Sequence, residues 1–213
     1  MSFLEATDAT AHDITAPDAT AAPAPVPVVE AAEDSDIITG PNTRVRAGNA
    51  MQRARAGAVR GAIETLARRG LRRLTMAETA DRGGLARATL YNHVRDKEQL
   101  LALLLDHESQ NIAQAFTGGA TLEEGLCAAA TLIAEHRALT GLREHDPAAL
   151  LRLSVPEGGP IRELAAQSLS ARGLVADVAR VDLLLRWLVS FAASPSDAEG
   201  RMAQAKTLAR TLA

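Results

Sequence analysis

The seven residues Arg87–His93, which read Arg-Ala-Thr-Leu-Tyr-Asn-His, concentrate hydrogen-bonding side chains in one short stretch. Tyr91 is the single tyrosine of a chain in which only 2% of the residues are aromatic. A guanidinium, two hydroxyls and a carboxamide at helical spacing are groups that bond phosphate oxygens and base edges of DNA. We therefore expect this stretch to be a surface that meets a polar partner.

Helical periodicity assigns a role to each outward side chain of this stretch. Three apolar residues are predicted to face inward: Leu85, Leu90 and Val94. Arg87 can then bond phosphate or guanine, and Asn92 can pair with adenine. Ala88 can lie against a thymine methyl group, while Thr89 and Tyr91 can donate hydroxyl hydrogens to phosphate.

The elements around the stretch have the layout of a helix-turn-helix unit. A first helix is predicted from about residue 51 to Arg69, where Gly70 ends it. The sequence Thr-Met-Ala-Glu at 75–78 has the form of a capping box and opens a short helix. A glycine pair at 83–84 separates that helix from Arg87–His93, and a long helix follows Asp96 to about residue 116.

The charge of the chain is divided unevenly along its length. The net charge is −3, but residues 44–107 hold 13 basic and six acidic residues, a net charge of +7. A basic segment of this size is typical of contact with a polyanion.

Individual basic residues of this segment are candidate phosphate contacts. Lys97 lies at a helix N-terminus, which suits a phosphate oxygen. Four arginines precede or open the first helix, either as a minor-groove arm or as nonspecific phosphate contacts: Arg44, Arg46, Arg53 and Arg55.

Residues 1–43 differ in composition from everything after them. They contain eight acidic residues, no Lys or Arg, and an Ala/Pro-rich run without periodicity. We expect a disordered acidic tail, either a passive one or one that competes with DNA for the basic segment. The remaining domains are predicted as a DNA-binding domain at 44–97 and a regulatory and dimerisation domain at 98–213.

Composition restricts the class of protein. Hydrophobic residues make up 47% of the chain, mostly Ala and Leu, and β-branched residues are few after the tail, which predicts an all-α fold. The single cysteine, Cys127, excludes an intramolecular disulfide and suits a reducing compartment. Neither a signal peptide nor an uncharged apolar run of roughly 18 residues is present, so we expect a cytoplasmic, nucleoid-associated protein that contacts no membrane.

The ordered set of residues between about 55 and 105 resembles the TetR family of bacterial transcriptional regulators. The resemblance covers about a quarter of the chain. It is carried by the following positions: Ala62, Leu66, Gly70, Leu74, Thr75, Ala80, Gly84, Leu85, Thr89, Leu90, Tyr91, His93, Lys97, Glu98, Leu100 and Leu101. It implies a three-helix DNA-binding domain followed by a helical domain for ligand binding and dimerisation.

The same resemblance implies a division of labour among the DNA-facing residues. Thr89, Tyr91 and Lys97 match positions that usually hold phosphates. Base-reading positions are matched by Arg87, Ala88 and Asn92, while His93 either contacts DNA or packs at the helix end. Three departures from the family pattern concern stability instead: Thr79 for an aliphatic residue, Ala86 for a capping Ser or Thr, and Val94 for Phe.

The C-terminal half is predicted to hold helices at about 121–139, 160–172, 176–193 and 195–212, with a short one after Asp146 and a loop at 155–160. The helix at 176–193 is apolar on two sides, which predicts that both sides are covered, with the last helix as a natural companion. The resemblance implies that these two helices from two subunits form a four-helix dimer interface. The predicted dimer interface comprises Val181, Leu185, Trp187, Leu188, Phe191, Met202 and Leu208. Candidate ligand-binding residues are Phe116, His136, Arg137, Arg143 and His145.

The basic helix-turn-helix segment predicts a DNA-binding protein, and the resemblance implies a TetR-like regulator. It implies a repressor that binds a palindromic operator as a homodimer and that a small-molecule effector releases. Two alternatives are an architectural DNA binder of low sequence specificity and a regulator whose second domain has lost ligand response. No phosphate loop, zinc-protease, Gly-x-Ser-x-Gly or dinucleotide motif appears, so we expect no enzyme activity, no cofactor and no bound metal.

Overall fold

Residues of high helix propensity build the described part of the chain. The computed structural model describes residues 41–150 and 158–213, and it describes side chains from residue 49 onward. Within these ranges the structure contains helices and no strand, which confirms the all-α prediction. The helices are α1 (Pro41–Arg69), α2 (Met76–Gly83), α3 (Arg87–His93), α4 (Lys97–Gly118), α5 (Leu122–Ala134), α6 (Arg137–His145), α7 (Pro147–Leu150), α8 (Pro160–Ala171), α9 (Val178–Ala193) and α10 (Ala198–Leu212).

Two hydrophobic clusters organise these helices. The first joins α1 to α4 with part of α6, and its fully buried members include Ala58, Ala62, Leu90 and Leu100. The second lies among α4, α5, α8, α9 and α10. Helix α4 contributes to both, with Leu100 near its start and Phe116 near its end. This arrangement suits a DNA-binding half and a regulatory half, whose boundary at residue 97 stays a prediction.

Helix α1 begins earlier than its apolar periodicity predicts. The expected start lay near Met51, but the helix begins at Pro41, a residue well suited to the first helical turn. The exposed side chains of residues 49–53 explain the difference, because this part of α1 has no apolar stripe to detect. Residues 41–43 of the tail predicted at 1–43 are therefore helical, and the rest of that predicted tail lies outside the described residues.

The helix predicted at about 121–139 is in fact two helices. Its N-terminal capping box at Thr121 and Glu124 is confirmed. The chain leaves α5 at Glu135 and turns into α6 because Arg143 donates a hydrogen bond to the Ala134 carbonyl, 3.1 Å away. A long-range partner thus stabilises the end of α5, which local sequence does not reveal.

The remaining elements follow their predicted signals closely. The short helix after Asp146 is present as α7. Helix α10 is capped by Asp197 and begins at Ala198, three residues after the predicted start at 195. At α2 only half of the expected capping box forms. Thr75 accepts a hydrogen bond from the Glu78 amide, but the Glu78 carboxylate bonds Arg82 instead of returning to the cap. Most of the loop predicted at 155–160 falls outside the described residues.

No helix in 41–150 or 158–213 is both long enough and apolar enough to cross a membrane.

Candidate nucleic-acid interface

Three glycines allow α1 and α2 to touch through their backbones. A Cβ on Gly61 would lie 2.8 Å from the Gly83 amide nitrogen and far inside contact distance of the Thr79 carbonyl oxygen. A Cβ on Gly83 would likewise collide with the Gly57 carbonyl. Arg60 then closes the contact, since its Nη2 donates to the Gly83 carbonyl at 2.7 Å. The close contact fixes α2, and with it the turn into α3.

The turn between α2 and α3 depends on a left-handed residue. Gly84 has φ +68°, a conformation that side chains other than glycine rarely adopt. The amide of Leu85 donates to the Ala80 carbonyl at 2.9 Å, which ends α2 and redirects the chain. Ala86 precedes α3 without any side-chain cap, as predicted from its type. Thr79, which stands where the family pattern has an aliphatic residue, does not leave its buried hydroxyl without a hydrogen bond, because the hydroxyl donates to the Thr75 carbonyl.

Helix α3 presents its polar residues to solvent, as its periodicity predicts. Leu90 is fully buried and Val94 is 2% exposed, whereas Tyr91 is 50% exposed. Thr89 is half-buried. The other exposed residues of the helix are Arg87, Ala88, Asn92 and His93. None of these polar side chains forms a hydrogen bond or ion pair with any residue that the structure describes, so their donors and acceptors are available to a partner.

Lys97 lies at the first position of α4, where Asp96 caps the helix by accepting from the Gln99 amide at 2.8 Å. Its ammonium donates to the Leu71 carbonyl in the turn between α1 and α2. That bond uses one of three ammonium hydrogens and leaves two for a phosphate. Lys97 thus holds the turn and can still act as the predicted phosphate contact.

The basic residues before the first cluster lie in a helix and do not form a flexible arm. Arg44 and Arg46 fall within α1, as do Arg53 and Arg55. Both Arg53 and Arg55 are exposed, and Arg53 Nε donates to the Asn49 carbonyl at 3.2 Å. They lie about one turn before Gly57, whose Cα faces the Gly83–Leu85 turn. Their charges are therefore near the start of α3 without a disordered segment.

The five residues expected to bind a ligand have separate structural surroundings. Phe116 is 2% exposed in the second cluster. Arg137 pairs with Glu64 of α1, with 2.9 Å between Nη2 and Oε2. Arg143 donates to the carbonyls of Ala134 and Ala192 at the ends of α5 and α9. His145 is exposed beside Glu144. Among the described residues these four side chains thus bond or pack at separate places, and the ligand-binding role expected for the set stays a prediction.

His136 is the fifth member and has a different environment. Its Nε2 lies 3.5 Å from Glu108 Oε2 on α4, and its Nδ1 is buried without a hydrogen-bond partner among the described residues. The hydrogen bond from His136 holds the pKa of the Glu108 carboxyl below its usual value, more strongly than burial raises it. His107 and Asn111 of α4 also bond this carboxylate. Among the described residues no group of three or more potential ligands could hold a metal ion.

We predict that Glu108→Gln makes stability less sensitive to acid. A carboxyl with a lowered pKa stabilises the fold above its unfolded value of 4.5, and this contribution disappears as pH falls through the folded pKa. The variant should therefore be less stable than the parent near pH 5.5, and the difference should shrink below pH 4.5. Urea unfolding at several pH values measures it, and a difference that stays constant with pH would contradict the prediction.

The residues expected at the dimer interface are mostly part of the subunit's own core. Each of the five most buried is no more than 8% exposed within one chain: Val181, Leu185, Leu188, Phe191 and Leu208. Trp187 and Met202 are half-buried, and Trp187 Nε1 donates to Gln204 of α10 at 3.1 Å. Helices α5 and α8 lie against this apolar side of α9 within one subunit, and the interface role expected for these residues stays a prediction.

The outer side of α9 and α10 carries a different set of residues. On α9 these are exposed at alternating three- and four-residue spacing: Ala179, Leu183, Arg186, Ser190 and Ala193. On α10 the neighbouring outward residues are small: Gly200, Ala203, Thr207 and Thr211. Leu183 is 39% exposed, and the sequence alone did not single it out. We call these nine residues the outer face of α9 and α10.

A groove of about 580 Å³ lies between the start of α5 and α10. Charged side chains line much of it, including Glu123, Lys206 and Arg210. The groove is open to solvent, unlike the enclosed and mainly apolar pockets that usually bind small molecules. None of the five expected ligand-binding residues contributes to it.

Comparison with known proteins agrees with this geometry. Residues 58–104, from the middle of α1 into α4, match the family model of the bacterial regulatory proteins of the tetR family. The fold is also similar to the crystal structure of the TetR family repressor AlkX from Dietzia sp. strain DQ12-45-1b, which is implicated in biodegradation of n-alkanes. That match has a TM-score of 0.53 and 21% identity, and it covers 74% of this chain and 94% of AlkX. No curated protein matches the chain significantly.

The structural likeness establishes the fold, and the family match falls on the helices that carry the exposed polar residues. The turn at Gly84, the buried Leu90 and the outward Tyr91 all lie inside the matched range. Residues 58–104 therefore match the DNA-binding domain of the tetR family of bacterial regulatory proteins, and the chain shares its helical fold with a TetR family repressor.

Proposed function

We propose that the protein is a transcriptional repressor that binds a palindromic operator as a homodimer and that a small-molecule effector releases. The observation that carries the proposal is the exposed face of α3. A tyrosine that is 50% exposed, beside Arg87 and Asn92 without internal partners, is difficult to explain by folding alone. The repressor role described for AlkX supports the direction of regulation.

The proposed reading of DNA assigns each α3 residue to a base or a phosphate. Arg87 and Asn92 can bond guanine and adenine edges, and Ala88 can lie against a thymine methyl group. Thr89, Tyr91 and Lys97 hold phosphates and set the position of α3 in the major groove. Arg53 and Arg55 add phosphate contacts from α1, and His93 adds one at the end of α3.

A dimer is proposed because a palindrome needs two recognition helices about one helical turn apart, ~34–36 Å. The outer face of α9 and α10 is the surface we assign to this contact. The two helices lie side by side, since Arg180 Nε donates to the Leu212 carbonyl at 3.1 Å and Trp187 bonds Gln204. In two copies they would form a four-helix bundle, in which small residues allow close approach.

Release by an effector requires a route from the regulatory half to α1, and α6 supplies it. A Cβ on Gly141 would collide with the Ala67 backbone, so α6 lies directly against α1. Arg137 pairs with Glu64 on the same contact. On its other side, α6 is bonded to the ends of α5 and α9 through Arg143. A ligand that moved α5 or α9 would therefore displace α6 and, with it, α1.

His136 remains our candidate for a polar effector contact, because its buried Nδ1 has no described partner. A ligand that opened the junction of α4, α5 and α6 would find one hydrogen-bonding group there. The test is release of the protein from its operator by compounds that the products of neighbouring genes use. Histidine NMR can monitor the Glu108–His136 contact while the protein is released from DNA. Release without any change in that contact would show that His136 does not belong to the effector site.

The first experiment is selection of genomic fragments by the purified protein, followed by salt titrations on the best fragment and on random DNA. A repressor should enrich one palindrome and bind it about 10³-fold or more tightly than random DNA. The alternative, an architectural binder, shows a steep salt dependence but only a small ratio between the two affinities. Enrichment without a shared motif would reject the proposed function.

We predict that variants of α3 separate into two classes. Tyr91→Ala and Lys97→Ala should weaken binding to all sequences alike, because they remove phosphate contacts. Asn92→Ala should instead relax preference at one base position by roughly 1–3 kcal/mol. Binding to a set of single-base operator variants measures both effects. Equal losses on every sequence for all three variants would refute this division.

A further inference from the structure

The turn between α1 and α2 carries arginines to which the recognition of DNA by α3 assigns no role. Arg72 and Arg73 follow Leu71 directly, and both are exposed. Arg73 forms no ion pair or hydrogen bond with the residues that the structure describes. The side chain of Arg72 is 80% exposed, although its Nε lies 3.7 Å from Asp146 Oδ1. Exposed guanidiniums with weak or absent partners are available to an anion.

The turn has a fixed position relative to the DNA-facing residues. The Lys97 ammonium donates to the Leu71 carbonyl, so the start of α4 lies against the turn. The Arg72 amide donates to Asp146 Oδ2 at 3.2 Å, which holds the turn from the other side. Asp146 is 7% exposed, so its carboxylate is a buried anchor. Two arginines are thus displayed next to Lys97 by a backbone that is tied down at both ends.

Helix α2 begins beside these arginines, and its position defines what they can contact. In a helix-turn-helix unit the first short helix crosses the sugar-phosphate backbone while the second enters the major groove. The N-terminal turn of α2 follows these arginines directly in the chain, and the positive end of a helix dipole favours an anion. Two of the nearby acids are already paired, since Glu78 pairs with Arg82 and Arg69 and Asp96 caps α4.

We infer that Arg72 and Arg73 form a second phosphate-binding flank, which contacts the DNA backbone beside the half-site that α3 reads. The inference rests on the proposed binding of duplex DNA. It assigns the flank to phosphate oxygens and not to bases, because the turn lies outside the recognition helix. The two arginines should therefore contribute equally to binding of specific and random sequences.

The test is the salt dependence of DNA binding by the full chain and its Arg73→Ala and Arg72→Ala variants. Each lost phosphate contact lowers the slope of log affinity against log salt by about 0.9, or about twice that for two half-sites. The ratio of affinities at 50 and 200 mM KCl should shrink about threefold per contact. Both effects are expected on the selected fragment and on a random duplex of equal length.

Arg68→Ala is the matched control, because Arg68 is also an exposed arginine of the same segment but bonds Glu64 on α1. Its slope should equal that of the parent. Arg73→Lys keeps the positive charge, so its slope of log affinity against log salt should equal that of the parent. A thermal melt of each variant shows whether it is still folded.

Unchanged slopes in both alanine variants, with binding still reduced by Tyr91→Ala, would overturn the flank and leave the proposed function intact. If the parent protein bound no duplex DNA at all, the proposed function would fail instead. A drop in slope equal to that of Arg68→Ala would also overturn the flank, since it would reflect total charge only.

Discussion

Gly61→Ala should abolish specific DNA binding, although it changes a residue that no DNA would touch. The added Cβ would lie 3.0 Å from the Thr79 carbonyl carbon, 2.8 Å from the Gly83 amide nitrogen and much closer to the Thr79 oxygen. All three are backbone atoms of α2, so no side-chain rotation relieves the collision. Helix α2 must move away from α1, and α3 moves with it.

The size of the effect follows from two opposing contributions. Overpacking typically costs about 1–3 kcal/mol, and collisions with backbone lie at the upper end. Alanine in place of glycine within a helix stabilises the fold by up to ~1 kcal/mol, because alanine has the higher helix propensity. We therefore expect a net loss of about 1–2 kcal/mol in the free energy of unfolding. The loss in binding should be larger, because recognition needs side chains held within about 0.5 Å.

Gly118→Ala provides the control for this variant. Gly118 also lies in a helix, but no atom is within 4 Å of its added Cβ. Its stability should be equal to that of the parent or slightly higher, and its DNA affinity should not change. Chemical unfolding and operator titration of both variants measure these effects. Parental affinity in Gly61→Ala would show that α1 and α2 are not in direct backbone contact.

The exposed side of α3 could be predicted from sequence because its signals are local. Leu90 and Val94 lie four residues apart and fix the inward side of α3, so the outward position of Tyr91 follows from helical geometry. Both inward residues are buried, as predicted. The glycine pair before Arg87 likewise indicates a turn whatever the rest of the chain does. Sequence reasoning missed Arg72 and Arg73, although their place in the +7 segment was a usable signal.

The regulatory half could not be predicted as well because its partners are distant in sequence. Arg143 bonds two helix ends that local pattern does not connect, and this bond separates α5 from α6. Arg137 likewise pairs with Glu64 of α1, a partner that lies 73 residues away in the sequence. The sequence does not reveal that glycines at 57 and 61 bring α1 against α2, since a backbone contact leaves no hydrophobic pattern.

Helix α9 illustrates a further limit, because apolar residues on two sides do not reveal which neighbour covers each side. The larger residues, such as Phe191 and Leu188, are buried against the subunit's own helices. The surface left for a partner consists mainly of small residues, and Leu183 is its one large apolar side chain. That residue therefore offers the most direct test of the proposed dimer.

Leu183→Glu should convert the protein from a dimer to a monomer. Leu183 is 39% exposed on the outer face of α9 and α10, so glutamate is tolerated in an isolated subunit. At a two-fold interface the substitution would bury two carboxylates close together, and unpaired buried charges cost several kcal/mol. Sedimentation should give a mass near 22.4 kDa for the variant and about twice that for the parent.

Operator binding should fall with the dimer. A monomer reads one half-site and loses the second recognition helix, so affinity for the palindrome should drop at least ~100-fold, or about 2.7 kcal/mol. Leu105→Glu is the control, because Leu105 is 55% exposed on α4 and lies outside the outer face. It should remain dimeric with parental affinity. A Leu183→Glu protein that stayed dimeric and bound the palindrome normally would place the subunit contact on another surface, since glutamate at the centre of this one cannot be accommodated in both copies.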